Sequence, residues 1–234
     1  MMRDKKVSKI IETAVNEGRD FLFEYEAKAL CTLYDMPVTK ISVAGSEEEA
    51  VKAAEEIGYP VVLKIVSPQV LHKSDAGGVL VNVKDEESVR KGYNTILKNV
   101  RAHVPDAEIT GILVQEMAPD GTEVIVGSTK DPTFGPTIMF GLGGIFVEIL
   151  KDVSFRLAPI NRTDAEEMVK EIKAYKILEG VRGNPPSDVE AILDVLMATS
   201  RMLVDCPEIK ELDMNPLLVY EKGAKIVDAR IILQ

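Results

Sequence analysis

The chain has 234 residues, 46% hydrophobic and 28% charged, enough to bury a sizeable core as one large or two small domains. Its formal net charge of −10 and pI near 4.9 speak against a nucleic-acid partner, because such binding needs basic surface to neutralise phosphates. No apolar run reaches the roughly 18 residues of a membrane span, and the segment after Met1 is mixed and polar instead of a signal-peptide core, so a cytoplasmic protein without membrane contact is expected.

Cys31 lies far from Cys206, with no CxxC pattern, which predicts two reduced, partly buried thiols. Ser46 followed by Glu49 reads as a capping box that opens a helix burying Ala50, Val51, Ala54 and Ile57, and Gly58 ends it. An apolar strand, Val61 to Val66, follows with Lys64 inside it, then the run Leu71-His72-Lys73-Ser74-Asp75-Ala76-Gly77-Gly78-Val79. A helix is predicted over 85–101 through Val89, Tyr93, Ile96, Leu97 and Val100, with His103 beyond it as a surface histidine. Ile112 to Met117 and Glu123 to Gly127 read as strands joined through Pro119-Asp120-Gly121 tightly enough to be antiparallel neighbours. A further strand, 136–140, precedes Gly141-Leu142-Gly143-Gly144. Capping boxes Thr163 with Glu166 and Ser187 with Glu190 predict helices burying Met168, Val169 and Ile172, then Ile192, Leu193, Leu196 and Leu203. Two closing strands, 209–220 and 224–231, turn at Glu221-Lys222-Gly223. The order predicts a mixed α/β (α+β) chain: an N-terminal helix and smaller lobe over 1–110, a larger lobe over 111–234, and a cleft between them.

Two constellations carry chemistry. Lys64 in an apolar strand, followed by a loop ending in Gly77 and Gly78, offers a cation and bare backbone amides to a phosphate, with His72 beside it. In Glu211-Leu212-Asp213-Met214-Asn215-Pro216 the two-residue period of a strand sends Glu211, Asp213 and Asn215 to one face. On the return strand Val227, Ala229 and Ile231 are expected in the core, which turns Asp228 and Arg230 to the cleft and brings Asp228 close to Asn215. Two carboxylates and an amide oxygen suit Mg²⁺, and equally describe a solvated strand face of alternating charge. Gly143 and Gly144 fall short of a dinucleotide fingerprint, since position 146 is phenylalanine, but their turn lets amides approach an anion. Gln115-Glu116-Met117 reads either as an ordinary strand end or as one that hydrogen-bonds a purine edge, and Arg182 either as a surface charge or as a phosphate contact. A nucleophile elbow, a Walker A lysine and a zinc pattern are all missing from the sequence.

Taken in order, Lys64, the His72 to Val79 run, Gln115-Glu116-Met117 with Glu123, the stretch Asp131-Pro132-Thr133-Phe134-Gly135-Pro136 to Gly144, and Glu211 to Pro216 with Asp228 resemble the β subunit of ADP-forming acyl-CoA (acetyl-CoA) synthetase. That family has the ATP-grasp fold, with the nucleotide site in the cleft between two lobes, and is related to the β subunit of succinyl-CoA synthetase. The resemblance covers nearly the whole chain. It implies that Lys64 contacts nucleotide phosphates, covered by backbone from Leu71 through Lys73, Ser74 and Gly77 to Gly78. It further implies that Gln115, Glu116 and Met117 line the adenine site, that Glu123 contacts ATP or ADP, and that Asp213, Asn215 and Asp228 hold Mg²⁺. Gly143, Gly144, Arg182 and Arg230 are candidate phosphate contacts.

His72 matches the histidine that carries phosphate in this family. The implied partner is a CoA-binding α subunit, in an α2β2 assembly, that forms an acyl phosphate and passes the phosphoryl group on. Without a CoA-binding segment of its own, this chain is expected to be inactive alone. A carboxylate ligase without phosphohistidine and a non-catalytic nucleotide-sensing module are the rival readings. Gly77 and Gly78 are expected to let the His72 loop swing.

Overall fold

The computed structural model describes residues 2–234 except 71, 145, 146, 148–150, 182 and 184. Contacts gather them into two compact units, Met1–Val38 with Asp120–Gln234, and Thr39–Pro119.

The contiguous unit is a four-stranded sheet in the order β2-β5-β3-β4, made of β2 (Ile41–Ala44), β3 (Val61–Val66), β4 (Val79–Val83) and β5 (Gly111–Glu116), with every neighbouring pair antiparallel. Helices α3 (Glu47–Ile57) and α4 (Glu86–His103) pack on it. Ser46 caps α3 as expected, accepting from the Glu49 N–H at 3.2 Å, while the Glu49 carboxylate reaches back to the Gly45 N–H at 2.7 Å. Strand alternation sorts β3 and β5: Val61, Leu63, Ile65, Ile112 and Val114 join the helices in one core, whereas Val62, Lys64, Leu113 and Gln115 take the opposite face.

The second unit is built on a seven-stranded sheet in the order β1-β11-β9-β6-β7-β8, with β10 also paired to β9. Its strands are β1 (Phe21–Leu22), β6 (Thr122–Asp131), β7 (Gly135–Leu142), β8 (Val153–Leu157), β9 (Ile209–Val219), β10 (Ala224–Ile226) and β11 (Ala229–Leu233). One face of the sheet, with Val124, Val126, Phe140, Leu212, Met214 and Ile231, shares a core with α1 (Met2–Asn16), α2 (Glu24–Leu33), α5 (Arg162–Glu171) and α6 (Val189–Asp205). Cys31 and Cys206 are free thiols in this core, fully buried instead of partly so. Burial pushes the Cys31 thiol up to about 12, so it stays protonated and unreactive at neutral pH.

Four expectations are corrected. Residues 112–117 and 123–127 are not a hairpin: β5 pairs with β2 and β3, β6 pairs with β7 and β9, and the Pro119-Asp120-Gly121 stretch passes from one unit to the other. The division at residue 110 moves for the same reason, and residues 1–38 join the larger unit because β1 pairs with β11 and α1 and α2 fill its core. The helix starts shift too. Asn161 and Asp164 form the capping box of α5, asparagine being a stronger cap than Thr163, and Asp188 caps α6, leaving the Ser187 hydroxyl to bond Thr122. Finally, the last strand is interrupted at 227–228, so Val227 leaves the core and Ile226 takes its place.

Candidate functional site

Lys64 is 6% exposed in the middle of β3, opposite Leu113 of β5 and Val79 of β4. Burying an ammonium is costly without compensation, so this lysine is no surface charge. On the same face of the sheet Gln115, 1% exposed, pairs with Val62. β5 then runs out past Glu116, whose N–H donates to the Lys40 carbonyl, and Met117, whose N–H donates to the Pro60 carbonyl. Met117 is exposed at this strand end.

His72 opens a tight turn and is exposed. The Ala76, Gly77 and Gly78 N–H groups donate back to the His72, Ser74 and Lys73 carbonyls at 3.3, 3.0 and 2.7 Å. Gly77 is left-handed at φ +63°, and its carbonyl accepts from Asn99 of α4 at 3.2 Å. Gly78 lies so close to β3 that a Cβ would sit 2.5 Å from Ile65 Cγ2. The glycine pair therefore packs the base of the turn against the sheet and helix.

The other candidates lie on the face of the large sheet turned away from its core. Here Asp213 of β9 stands opposite Gly127 of β6 on one side and Arg230 of β11 on the other. At the interruption after β10 the Asn215 N–H donates to the Asp228 carbonyl at 3.2 Å, and the Val227 N–H to the Pro216 carbonyl at 3.0 Å. The expected neighbours Asn215 and Asp228 are thus brought together. Burial and, next, the charge of Asp228 push the Asp213 carboxyl above its ordinary range, and Arg230 pulls it partly back. Like-charged carboxylates brought together favour a divalent cation, so the donor set of two carboxylates and an amide oxygen fits Mg²⁺ once a polyphosphate and water complete the shell. Among the described residues, no three His, Cys, Asp or Glu side chains gather as a metal site by themselves.

A pocket of ≈ 430 Å³ opens on this face, lined by Asp213, Asn215 and Arg230 and also by Glu211, Thr129, Thr137, Met139 and Phe155. Thr129, Thr137, Met139 and Phe155 escaped sequence reading because their neighbourhood depends on the β6-β9 and β7-β8 registers. Alternation within each strand was the only available signal. Gly127 leaves the floor beside Asp213 low, where a Cβ would meet Met139 Cε at 3.1 Å. Glu123 is exposed at the start of β6, and its carbonyl accepts from the Gly143 N–H at 2.8 Å. A Cβ at Gly143 would meet Glu123 Cβ at 2.8 Å, and Gly144 follows at φ +60°. Leu71 and Arg182 lie outside the described residues. His103 is exposed, its ring bonded to its own helix through the Asn99 carbonyl at 2.9 Å. No helix among the described residues is long and apolar enough to cross a membrane.

A buried strand lysine beside a glycine-anchored turn, and a carboxylate pair on an open antiparallel sheet, define the class of nucleotide-binding ligase folds that comparison identifies. The ATP-grasp domain family matches residues 13–233. The chain is 55% identical over 233 residues to the β subunit of acetate–CoA ligase [ADP-forming] I of Pyrococcus furiosus, spanning 100% of both chains. Among solved structures, it matches the dinucleotide forming acetyl-coenzyme A synthetase 1 of Ca. Korarchaeum cryptofilum, in complex with coenzyme A, Ca-AMPCP and HgCl+, with TM-score 0.95 and 58% identity over 97% of this chain and 99% of that one. A structure of that enzyme with coenzyme A and Mg-AMPPCP, its phosphohistidine segment pointing towards the nucleotide binding site, matches with TM-score 0.87 and 53% identity over 97% and 100% of the two chains. The chain belongs to the ATP-grasp family, among the β subunits of ADP-forming acetate–CoA ligases.

Proposed function

We propose that this chain is the nucleotide-binding β subunit of an ADP-forming acyl-CoA synthetase, in which acyl-CoA, ADP and phosphate are converted reversibly to carboxylic acid, CoA and ATP. The observation that carries this reading is His72: an exposed histidine on a turn whose base is fastened to the strand that bears the buried Lys64. The reading extends the family membership to the roles of individual residues.

In this scheme a CoA-binding α subunit, in an α2β2 assembly, forms an acyl phosphate; its own histidine takes the phosphoryl group as the carboxylate leaves, and a His72 ring nitrogen then takes it as that histidine leaves with its electron pair. The P–N bond then breaks as a terminal oxygen of the ADP β-phosphate attacks phosphorus, and the imidazole leaves carrying the electron pair. A histidine suits this task because its neutral ring is nucleophilic near physiological pH, and the covalent intermediate divides one difficult transfer into two. Lys64 stabilises the nucleotide phosphates, with the backbone of Lys73, Ser74, Gly77 and Gly78, and with Leu71, over them. Gln115, Glu116 and Met117 receive the adenine, and Glu123 contacts the nucleotide. Asp213, Asn215 and Asp228 hold Mg²⁺, which neutralises phosphate oxygens when bound. Arg230, together with Gly143, Gly144 and Arg182, supplies further phosphate contacts.

The test is to supply labelled ATP, or labelled acyl phosphate with the CoA-binding partner. Acid-labile, base-stable label is expected on this chain and is lost in His72→Ala, with turnover falling by a factor of at least about 10³. Label retained by that variant would remove His72 from the relay. Tight ADP binding without any phosphoenzyme would favour the sensing module instead.

A further inference from the structure

The interruption between β10 and β11 is braced by a buried ion pair that the proposed nucleotide and metal contacts leave unused. Glu24 and Lys28 lie one turn apart on α2, with Lys28 Nζ 3.0 Å from Glu24 Oε1 and side chains 4% and 0% exposed. Such a pair is a weak source of stability, because desolvating two ions offsets most of their attraction. Its placement indicates another use. Lys28 Nζ donates to the Val227 carbonyl at 2.7 Å, across 199 residues of sequence.

Val227 is the residue before Asp228, and the peptide plane between them is rigid. Fixing the Val227 carbonyl therefore fixes the orientation from which Asp228 departs. The neighbouring bonds complete the frame: Val227 N–H to the Pro216 carbonyl, Asn215 N–H to the Asp228 carbonyl, and Ile226 N–H to the Pro37 carbonyl at 2.8 Å. The N-terminal segment thus grips the interruption at two adjacent residues, Pro37 at Ile226, the end of β10, and Lys28 at Val227, the start of the link to β11.

We infer that Glu24 and Lys28 are a positioning pair for the metal-binding hairpin: the ammonium holds the Val227–Asp228 peptide so that Asp228 is presented beside Asn215, and Glu24 holds that ammonium in place. The inference rests on reading Asp213, Asn215 and Asp228 as the metal ligands. Losing a group that orients a ligand typically weakens metal binding by roughly 10–100-fold.

The experiment titrates Mn²⁺ against the full-length chain with ADP present, followed by electron paramagnetic resonance, alongside thermal melts without metal. Lys28→Met alone would take the ammonium from a buried carboxylate, so the informative variant is Glu24→Met with Lys28→Met, which removes both charges and keeps the volume. Its melt is expected to stay near that of the unmodified chain while the apparent Mn²⁺ dissociation constant rises about tenfold. In Glu24→Gln with Lys28→Gln an uncharged donor remains for the Val227 carbonyl, and much of the affinity is expected to return. Unchanged Mn²⁺ affinity in the double methionine variant would overturn the inference. Asp213→Asn separates the two levels: if it too leaves Mn²⁺ binding unaltered, the hairpin is not the metal site, whereas loss there with no loss in the double variant sinks only the positioning role.

Discussion

The two sets of site residues are held by opposite means. In the four-stranded unit, the base of the His72 turn beside the Lys64 strand is closely packed, with Gly78 against Ile65 and Gly77 against Asn99. In the seven-stranded unit, Asn215 and Asp228 sit where regular pairing stops, just past the paired Asp213, and hydrogen bonds to an irregular backbone hold them. Packing tolerates no added atom but is indifferent to charge. A polar frame tolerates changes of shape at its rim, but each of its members carries a charge or a directed bond.

This contrast can be broken most forcefully at Lys64. Lys64→Met keeps the stem that fills its 6% exposed position and removes only the cation. Turnover is expected to fall about 10²–10³-fold, as for other losses of preorganised charge stabilisation, while the melting temperature changes little. Unaltered ADP affinity and rate in that variant would leave the buried lysine a purely structural residue.

Gly78→Ala probes the packing side with a smaller effect. The new methyl would collide with Ile65 Cγ2 and with the Lys73 carbonyl at 3.0 Å, so a loss of about 1–3 kcal/mol is expected from overpacking. Faster proteolysis within the His72 turn is expected to accompany the loss. A variant as stable as the original would show that the turn base is loose.

The smallest effect concerns Asp213, and its sign is informative. Its folded pKa lies above the ordinary 3.8, so between those two values the folded chain binds more protons than the unfolded one. Stability contributed at this position therefore declines as pH rises through that window, and the carboxylate destabilises the metal-free fold at neutral pH. Asp213→Asn is expected to raise the metal-free melting temperature at pH 7 by no more than about 2 °C, because solvent screens the group, and to lose that advantage below pH 3.8. An equal or lower melting temperature at pH 7 would mean that Asp228 and Asp213 do not repel each other.

How much of this was legible in the sequence follows from the range of each interaction. Lys64 was conspicuous because a charge interrupts an otherwise apolar strand, and Asp213 and Asn215 because alternation alone assigns their face. Asn215 and Asp228 were also brought together by the short turn between β9 and β10. What failed depended on distant partners. Nothing local says that β5 belongs with β2 and β3 while β6, a few residues on, belongs with β9. Glu24 and Lys28 look like an ordinary i,i+4 surface pair until Val227 arrives from the far end of the chain. The close approach of Gly78 to Ile65 was likewise invisible without the register of β3 and β4.

The pairing of β1 with β11, reinforced by the bond from the Leu233 N–H to the Asp20 carbonyl at 2.7 Å, has a consequence for biosynthesis. Residues 39–119 form a contiguous unit with its own core and can close while the rest of the chain is still being made. The first 38 residues emerge from the ribosome earlier but must wait for the last strand to be released before α1 and α2 find their sheet. During that interval Val7, Ile11, Leu30 and Tyr34, all buried in the finished fold, lack the sheet they pack on, so residues 1–38 are secured after residues 39–119.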